Sequence, residues 1–267
     1  MTAEAARRRS IAGMSLIALT MVAVLLSLGI WQLQRRDEKH RLIAALSERL
    51  AAEPVALPAA RDWPALDPPN DEFRRVRFTA SYLNLPDVMV YSSGSAVRDD
   101  VAGPGTWAFL PARLADGRIV VINAGFVPNT MQERGAEDRA VQPLLSGEAA
   151  TLTGYLRFPE QPGLFAPAPN LDKRLWFSRD VPAMAAALGW DKPAETAPFY
   201  IDLEAPMPAG GVPKPGPLGV HLRDNHLQYA ITWFGLAAAV LVAFAFWLRG
   251  QGRQVAVPPA KASRRIA

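Results

Sequence analysis

Arg223-Asp224-Asn225-His226 stands directly before a long apolar run, Leu227–Leu248. Tyr229, Ala230 and Trp233 follow His226 at three, four and seven residues, the spacing that places side chains on one face of a helix. Asp224 or Asn225 suits the N-cap of that helix, which puts His226 in its first turn. A neutral imidazole is the form that ligates iron. An aromatic wall with a small residue beside it suits a flat macrocycle, and Arg223 could meet propionates at the water boundary. The same residues also fit an ordinary interfacial belt, because Tyr and Trp gather at membrane surfaces and a histidine there can simply be solvated.

Other chemistry finds less support. The chain has only three histidines, His40, His221 and His226, so a nucleophile triad has few partners to draw on. It has no cysteine, which excludes disulfides, thiolate metal sites and covalent c-type haem attachment. The acidic pairs Asp71-Glu72 and Asp99-Asp100 read as solvated charge. Gly103-Pro104-Gly105 and Gly210-Gly211 read as turns, since neither has the strand–turn–helix context of a phosphate cradle.

Two long apolar elements must position His226. The other is Ile11–Trp31, whose polar members are Ser15, Thr20 and Ser27. A helix crossing a bilayer core needs roughly 20 apolar residues, so both runs qualify. The first run is longer than the core of a signal peptide, and no small-residue cleavage site follows it. Setting aside Glu4 and three arginines in the N-terminal arm and five basic residues after Trp247 leaves 21 basic against 24 acidic residues. The overall charge of +4 therefore belongs to the tails, where it reads as positive-inside rather than as nucleic-acid binding. Arg35, Arg36, Lys39 and Arg41 oppose that orientation, but a long domain can translocate despite them. The expected organisation is a cytoplasmic arm (1–10), a first transmembrane helix (11–31), an extracytoplasmic domain (32–226), a second transmembrane helix (227–248) and a basic cytoplasmic tail (249–267). High Ala, Arg and Pro content suits a bacterial inner membrane, with the large domain in the periplasm.

After Trp31 the helical pattern continues through Leu42, Ile43, Leu46 and Leu50 until Pro54 and the prolines beyond it. Val76, Phe78, Ala80 and Tyr82 alternate with polar neighbours, as in a half-buried strand. Val88–Tyr91 is a short apolar strand. Thr106–Leu114 and Arg118–Val127 flank Asp116-Gly117, a strong hairpin signal. Thr151–Arg157 and Phe199–Leu203 alternate again. Asp180, Pro182 and Gly189 bracket a helix over Ala183–Leu188. Pro206–Gly219, with five prolines and four glycines, reads as a structured or extended loop. Gly235 and Ala239 offer a place for close helix approach. The expected class is an α+β membrane protein: two transmembrane helices bracket an antiparallel β-sheet or small β-barrel with a packed helix.

Arg223-Asp224-Asn225-His226-Leu227-Gln228-Tyr229-Ala230-Ile231-Thr232-Trp233-Phe234-Gly235-Leu236 resembles the C-terminal signature of the Surfeit-locus family of cytochrome oxidase assembly proteins. Leu28-Gly29-Ile30-Trp31-Gln32-Leu33-Gln34-Arg35 resembles its N-terminal signature. Gly154-Tyr155-Leu156-Arg157, Trp176-Phe177 with Asp180 and Met184, and Phe199-Tyr200-Ile201-Asp202 resemble internal motifs in the family's order. One motif departs: Asn123-Ala124-Gly125-Phe126-Val127-Pro128 lacks the arginine and tryptophan of the usual Arg-Gly-Trp-Val-Pro pattern, while Gly125 and Pro128 still suit a turn leaving a strand. The resemblance implies a non-enzymatic factor that handles haem a and aids its insertion into oxidase subunit I, with haem a synthase as a further partner. It maps the axial ligand onto His226, with Tyr229, Trp233, Trp31, Gln32 and Arg223 around it. A scaffold that stabilises an oxidase intermediate without holding haem, and an extracytoplasmic sensing module, are the competing readings.

Overall fold

The computed structural model describes residues 3–95, 97–128, 133–190, 195–219 and 224–253. The chain divides into two compact units. One comprises Met1–Leu42 with Arg223–Ala267, and the other Ile43–Leu222.

The first unit is a pair of helices. Helix α1 is Ala3–Ala51, and the last helix among the described residues is His226–Arg253. Arg7–Ala51 and His226–Gln251 are long and apolar enough to cross a membrane. Two hydroxyls inside them bond back to their own helix, Ser27 to the Ala23 carbonyl at 2.8 Å and Thr232 to the Gln228 carbonyl at 2.9 Å. An apolar medium demands such internal satisfaction.

The two helices share a seam of Ala18, Val22 and Gly29 on one side and Ala230, Phe234 and Ala237 on the other, spaced at the four- and three-residue steps of a buried helix face. Gly29 is the point of close approach, since a Cβ there would overlap the Phe234 ring. The sequence pattern points instead to Gly235 and Ala239. A Cβ on Gly235 would meet nothing, and Ala239 is exposed, because both lie on the face turned away from the seam.

The second unit is a β-barrel. Its strands are β1 (Val55–Ala56), β2 (Arg75–Tyr82), β3 (Val88–Ser92), β4 (Gly105–Leu114), β5 (Ile119–Pro128), β6 (Ala150–Arg157), β7 (Leu175–Trp176) and β8 (Thr196–Ala205). The helices are α2 (Pro68–Asp71), α3 (Arg134–Val141) and α4 (Val181–Leu188), which makes the last described helix α5. Most of β2 pairs with β6, and its last residues, Ala80 to Tyr82, pair with β4. Those two pairings close a ring of five strands, β2–β6–β8–β5–β4, back on β2. This order, with one parallel pair in the ring, is that of the five-stranded OB-type barrel.

Of the two expected forms, an antiparallel sheet or a small β-barrel, the structure has the barrel, and its strands are not all antiparallel. β5 and β8 run parallel, as do the short pairings β1–β2 and β3–β7. Hairpins oblige only chain neighbours to run antiparallel. β5 and β8 are separated by β6 and α4, so their direction is free of that constraint. The two-residue strands β1 and β7 and the helices α2 and α3 carry too little periodicity to be read from sequence.

Alternation along the strands builds two cores. Val76, Phe78, Leu110, Val120, Ile122, Leu152, Phe199 and Ile201 fill the barrel. Trp107, Phe109, Val121 and Tyr200 point outward from β4, β5 and β8 and are covered by β3, β7 and α4 through Val88, Val90, Trp176, Met184 and Trp190. β4 and β5 are therefore buried on both faces. α4 begins at Asp180, whose carboxylate accepts from the Ala183 N–H at 3.2 Å, and ends at Gly189, as expected.

Candidate functional site

The site expected from sequence lies at one end of the helix pair. Asp224 caps α5, its Oδ1 accepting from the His226 N–H at 2.9 Å. Its Oδ2 lies 2.7 Å from His40 Nε2 and 3.9 Å from Arg36 Nε. Those bonds, led by the His226 N–H, hold the Asp224 carboxyl below its ordinary range. Gln32, Arg36 and His40 are spaced four apart on α1 and share a face. That spacing was the signal for His40, which sequence reasoning left aside.

A side-chain contact at the site joins the two helices directly. His226 Nδ1 and Gln32 Oε1 are 2.7 Å apart. An amide oxygen can only accept, so Nδ1 carries the ring proton and donates it. In the neutral ring Nε2 then keeps its lone pair, the arrangement of a metal-ligating histidine whose other nitrogen is tied to an oriented acceptor.

The remaining candidates divide. Trp233 is half-buried, and its Nε1 is enclosed without a hydrogen-bond partner among the described residues. Ala230 is buried beside it. Trp31 and Tyr229 are exposed at 48% and 54%, so their rings lie on the rim of the pair rather than in its seam. The Arg35 guanidinium lies 5.9 Å from the Trp31 ring centre. Arg223 and His221 lie outside the described residues.

The barrel carries a separate polar cluster. Arg157 donates to Glu72 through Nε and to Asp202 through Nη1, both at 2.6 Å. Asn123 donates to the other Asp202 oxygen at 2.7 Å. The Arg157 guanidinium also stacks 4.2 Å from the centre of the Phe73 ring. Three sequence motifs that are far apart in the chain thus meet around one buried carboxylate. Glu72 and Asp100, read as solvated charge, are instead ion-paired, Asp100 with Arg98 and Lys214 at 2.7 and 2.9 Å.

In the departing motif, Ala124 faces the barrel core and Phe126 packs edge-on against Trp107 at 5.3 Å. Gly125 lies inside β5, not in a turn as expected. Its φ is 132°, and a Cβ would overlap the Lys214–Pro215 backbone that bridges to Phe126. Only glycine combines that conformation with so close an approach.

A profile of the SURF1 family matches residues 19–238 of this chain. Surfeit locus protein 1 of Rattus norvegicus is 34% identical over 227 residues, covering 81% of this chain and 70% of its own length. A SURF1-like protein of Monosiga brevicollis is 31% identical, covering 88% of both chains. Surfeit locus protein 1 of Homo sapiens is 32% identical, covering 84% of this chain and 74% of its own length.

Proposed function

This chain belongs to the SURF1 family, and we propose that it is a membrane-anchored assembly factor for a haem–copper cytochrome oxidase, holding haem a and aiding its insertion into catalytic subunit I. The observation that carries the reading is the 2.7 Å contact of Gln32 with His226, which in the neutral ring turns Nε2 to ligation. Trp233 fits the same group. Its enclosed Nε1–H lacks an acceptor among the described residues, such donors are normally satisfied, and a polar substituent on a macrocycle would supply one. Trp233 lies two turns beyond His226, about 10 Å along the helix, within reach of a ring held at the histidine.

Both helices span the bilayer in this reading. Arg7 donates to the Gln251 carbonyl at 2.7 Å at one end of the pair, and Gln32 meets His226 at the other. The tie points, Arg7 to Gln32 on α1 and His226 to Gln251 on α5, are separated by about 37 Å of helix on each side. That covers a hydrocarbon core of about 30 Å. The basic arm and tail lie in the cytoplasm by the positive-inside rule, and the barrel is periplasmic in a bacterial inner membrane.

The chain's own groups act as a holder. Gln32 fixes the ring tautomer, Asp224 fixes the first turn of α5, and Trp31 and Tyr229 anchor the rim in the interface. Haem held by His226 alone would be tied to this chain through one ligand, so it could be passed on. The barrel is the surface for subunit I and for haem a synthase.

The test is to purify the full chain in detergent from cells with and without haem a synthesis. A haem a spectrum that is lost in His226→Ala, while the protein stays folded, supports the reading. An unchanged spectrum in that variant removes His226 as ligand. Absence of haem with retained subunit I association favours a scaffold instead.

A further inference from the structure

Below the histidine, the same helix pair opens into a wholly apolar cleft of about 300 Å³, lined among others by Met14, Met21, Val240, Ala243, Phe244 and Trp247. Resting on the haem a reading above, we propose that this cleft seats the isoprenoid tail of the macrocycle and so selects tailed over tailless haem.

Three observations place the tail there. The cleft shares a face with the site: Phe244 follows His226, and Met14 precedes Gln32, by a whole number of helical turns, about five in each case. A chain descending from the histidine therefore meets the cleft without crossing the seam, which Gly29 and Phe234 close.

The depth also fits. Met21 lies about three turns before Gln32 and Val240 about four turns after His226, so the mouth of the cleft is about 17–21 Å from the histidine. An isoprenoid of about fifteen carbons extends roughly 15 Å at ordinary C–C lengths, and the macrocycle adds about 5 Å from iron to rim.

The lining suits a methyl-branched chain. The two methionines are unbranched and adaptable, and Phe244 and Trp247 stack at 5.8 Å to form one wall. Lipid is as apolar as this lining, so preference must come from packing rather than from escape from water.

The probes are haem o, which carries the tail, and haem b, which differs from it in lacking the tail. Each is titrated by absorbance into the full-length protein in detergent. Haem o binding about ten-fold tighter than haem b supports the proposal. Ala243→Phe and Met21→Trp, which fill the cleft from either helix, should each abolish that preference while leaving haem b affinity unchanged. Val242→Phe, at a residue 55% exposed on the opposite face, should keep it. Equal affinity for the two haems in the unaltered protein means the cleft holds only lipid and overturns the proposal, while the axial histidine stands. Binding of neither haem overturns both readings.

Discussion

Glu137→Gln should stabilise this protein at neutral pH and flatten the pH dependence of its stability. Glu137 sits on α3 with no solvent exposure. Its Oε2 accepts from the Thr106 hydroxyl at 3.4 Å, and its Oε1 has no partner among the described residues. Burial, reinforced by the Asp87 carboxylate and only partly opposed by Arg134, pushes its pKa from 4.5 up to about 8. The folded state therefore keeps a proton that the unfolded state gives up. Stability is full below pH 4.5, falls by about 1.4 kcal/mol per pH unit as the pH rises toward 8, and levels off above it. At pH 7 the loss is roughly 3 kcal/mol. Glutamine has the shape of the protonated acid and cannot ionise. The variant should match the parent near pH 4.5 and exceed it by roughly 3 kcal/mol at pH 7. Urea unfolding of the full chain in detergent, followed by tryptophan fluorescence at pH 5, 6, 7 and 8, measures the difference. Parallel pH profiles for the two proteins, or a variant less stable at pH 7, would refute the reasoning.

Three other perturbations test the packing and the site. Gly29→Leu should drive the helices apart at Phe234 and cost about 1–3 kcal/mol, with Phe234→Ala restoring part of the loss in thermal unfolding. Arg157→Met leaves the buried Asp202 without its cation and should cost about 3–5 kcal/mol. In chemical unfolding, the double variant Arg157→Met with Asp202→Asn should lose less than the sum of the single changes. Gln32→Leu releases the ring proton of His226 from its acceptor. On the proposed haem-holding reading it should weaken haem binding by about 10–100-fold, and Gln32→Glu, a stronger acceptor, should shift the potential of the bound haem downward in a spectroelectrochemical titration.

Much of the architecture was legible because it rests on periodicity. The alternation of Val76, Phe78, Ala80 and Tyr82 needs no partner to be read as a strand, and all four are buried. Asp180 and Gly189 bracket α4 by local capping chemistry alone. Strand direction was not legible, since nothing within β5 or β8 records which way its partner runs. The pairing of Glu72 with Arg157 was equally hidden, because the two are 85 residues apart and an acid beside an acid in a proline-rich stretch looks solvated. Gly125 looked like a turn glycine, because the Lys214–Pro215 backbone that excludes a side chain there comes from a distant loop.

The sequence by itself determined two apolar helices, a strand-rich domain between them, and His226 in the first turn of the second helix. These follow from length, hydropathy and spacing, which are properties of short stretches of chain. Only the tertiary structure decided what His226 faces. It set Gln32, rather than Trp31, against the imidazole, and it turned Tyr229 outward while enclosing the Trp233 nitrogen. It brought His40 to Asp224, and it moved the close helix contact from Gly235 to Gly29. The physical reason is that a helix fixes the angle between its own side chains but not its rotation against a neighbour. That rotation is set by which small residues allow the backbones to approach, and Gly29 against Phe234 sets it here.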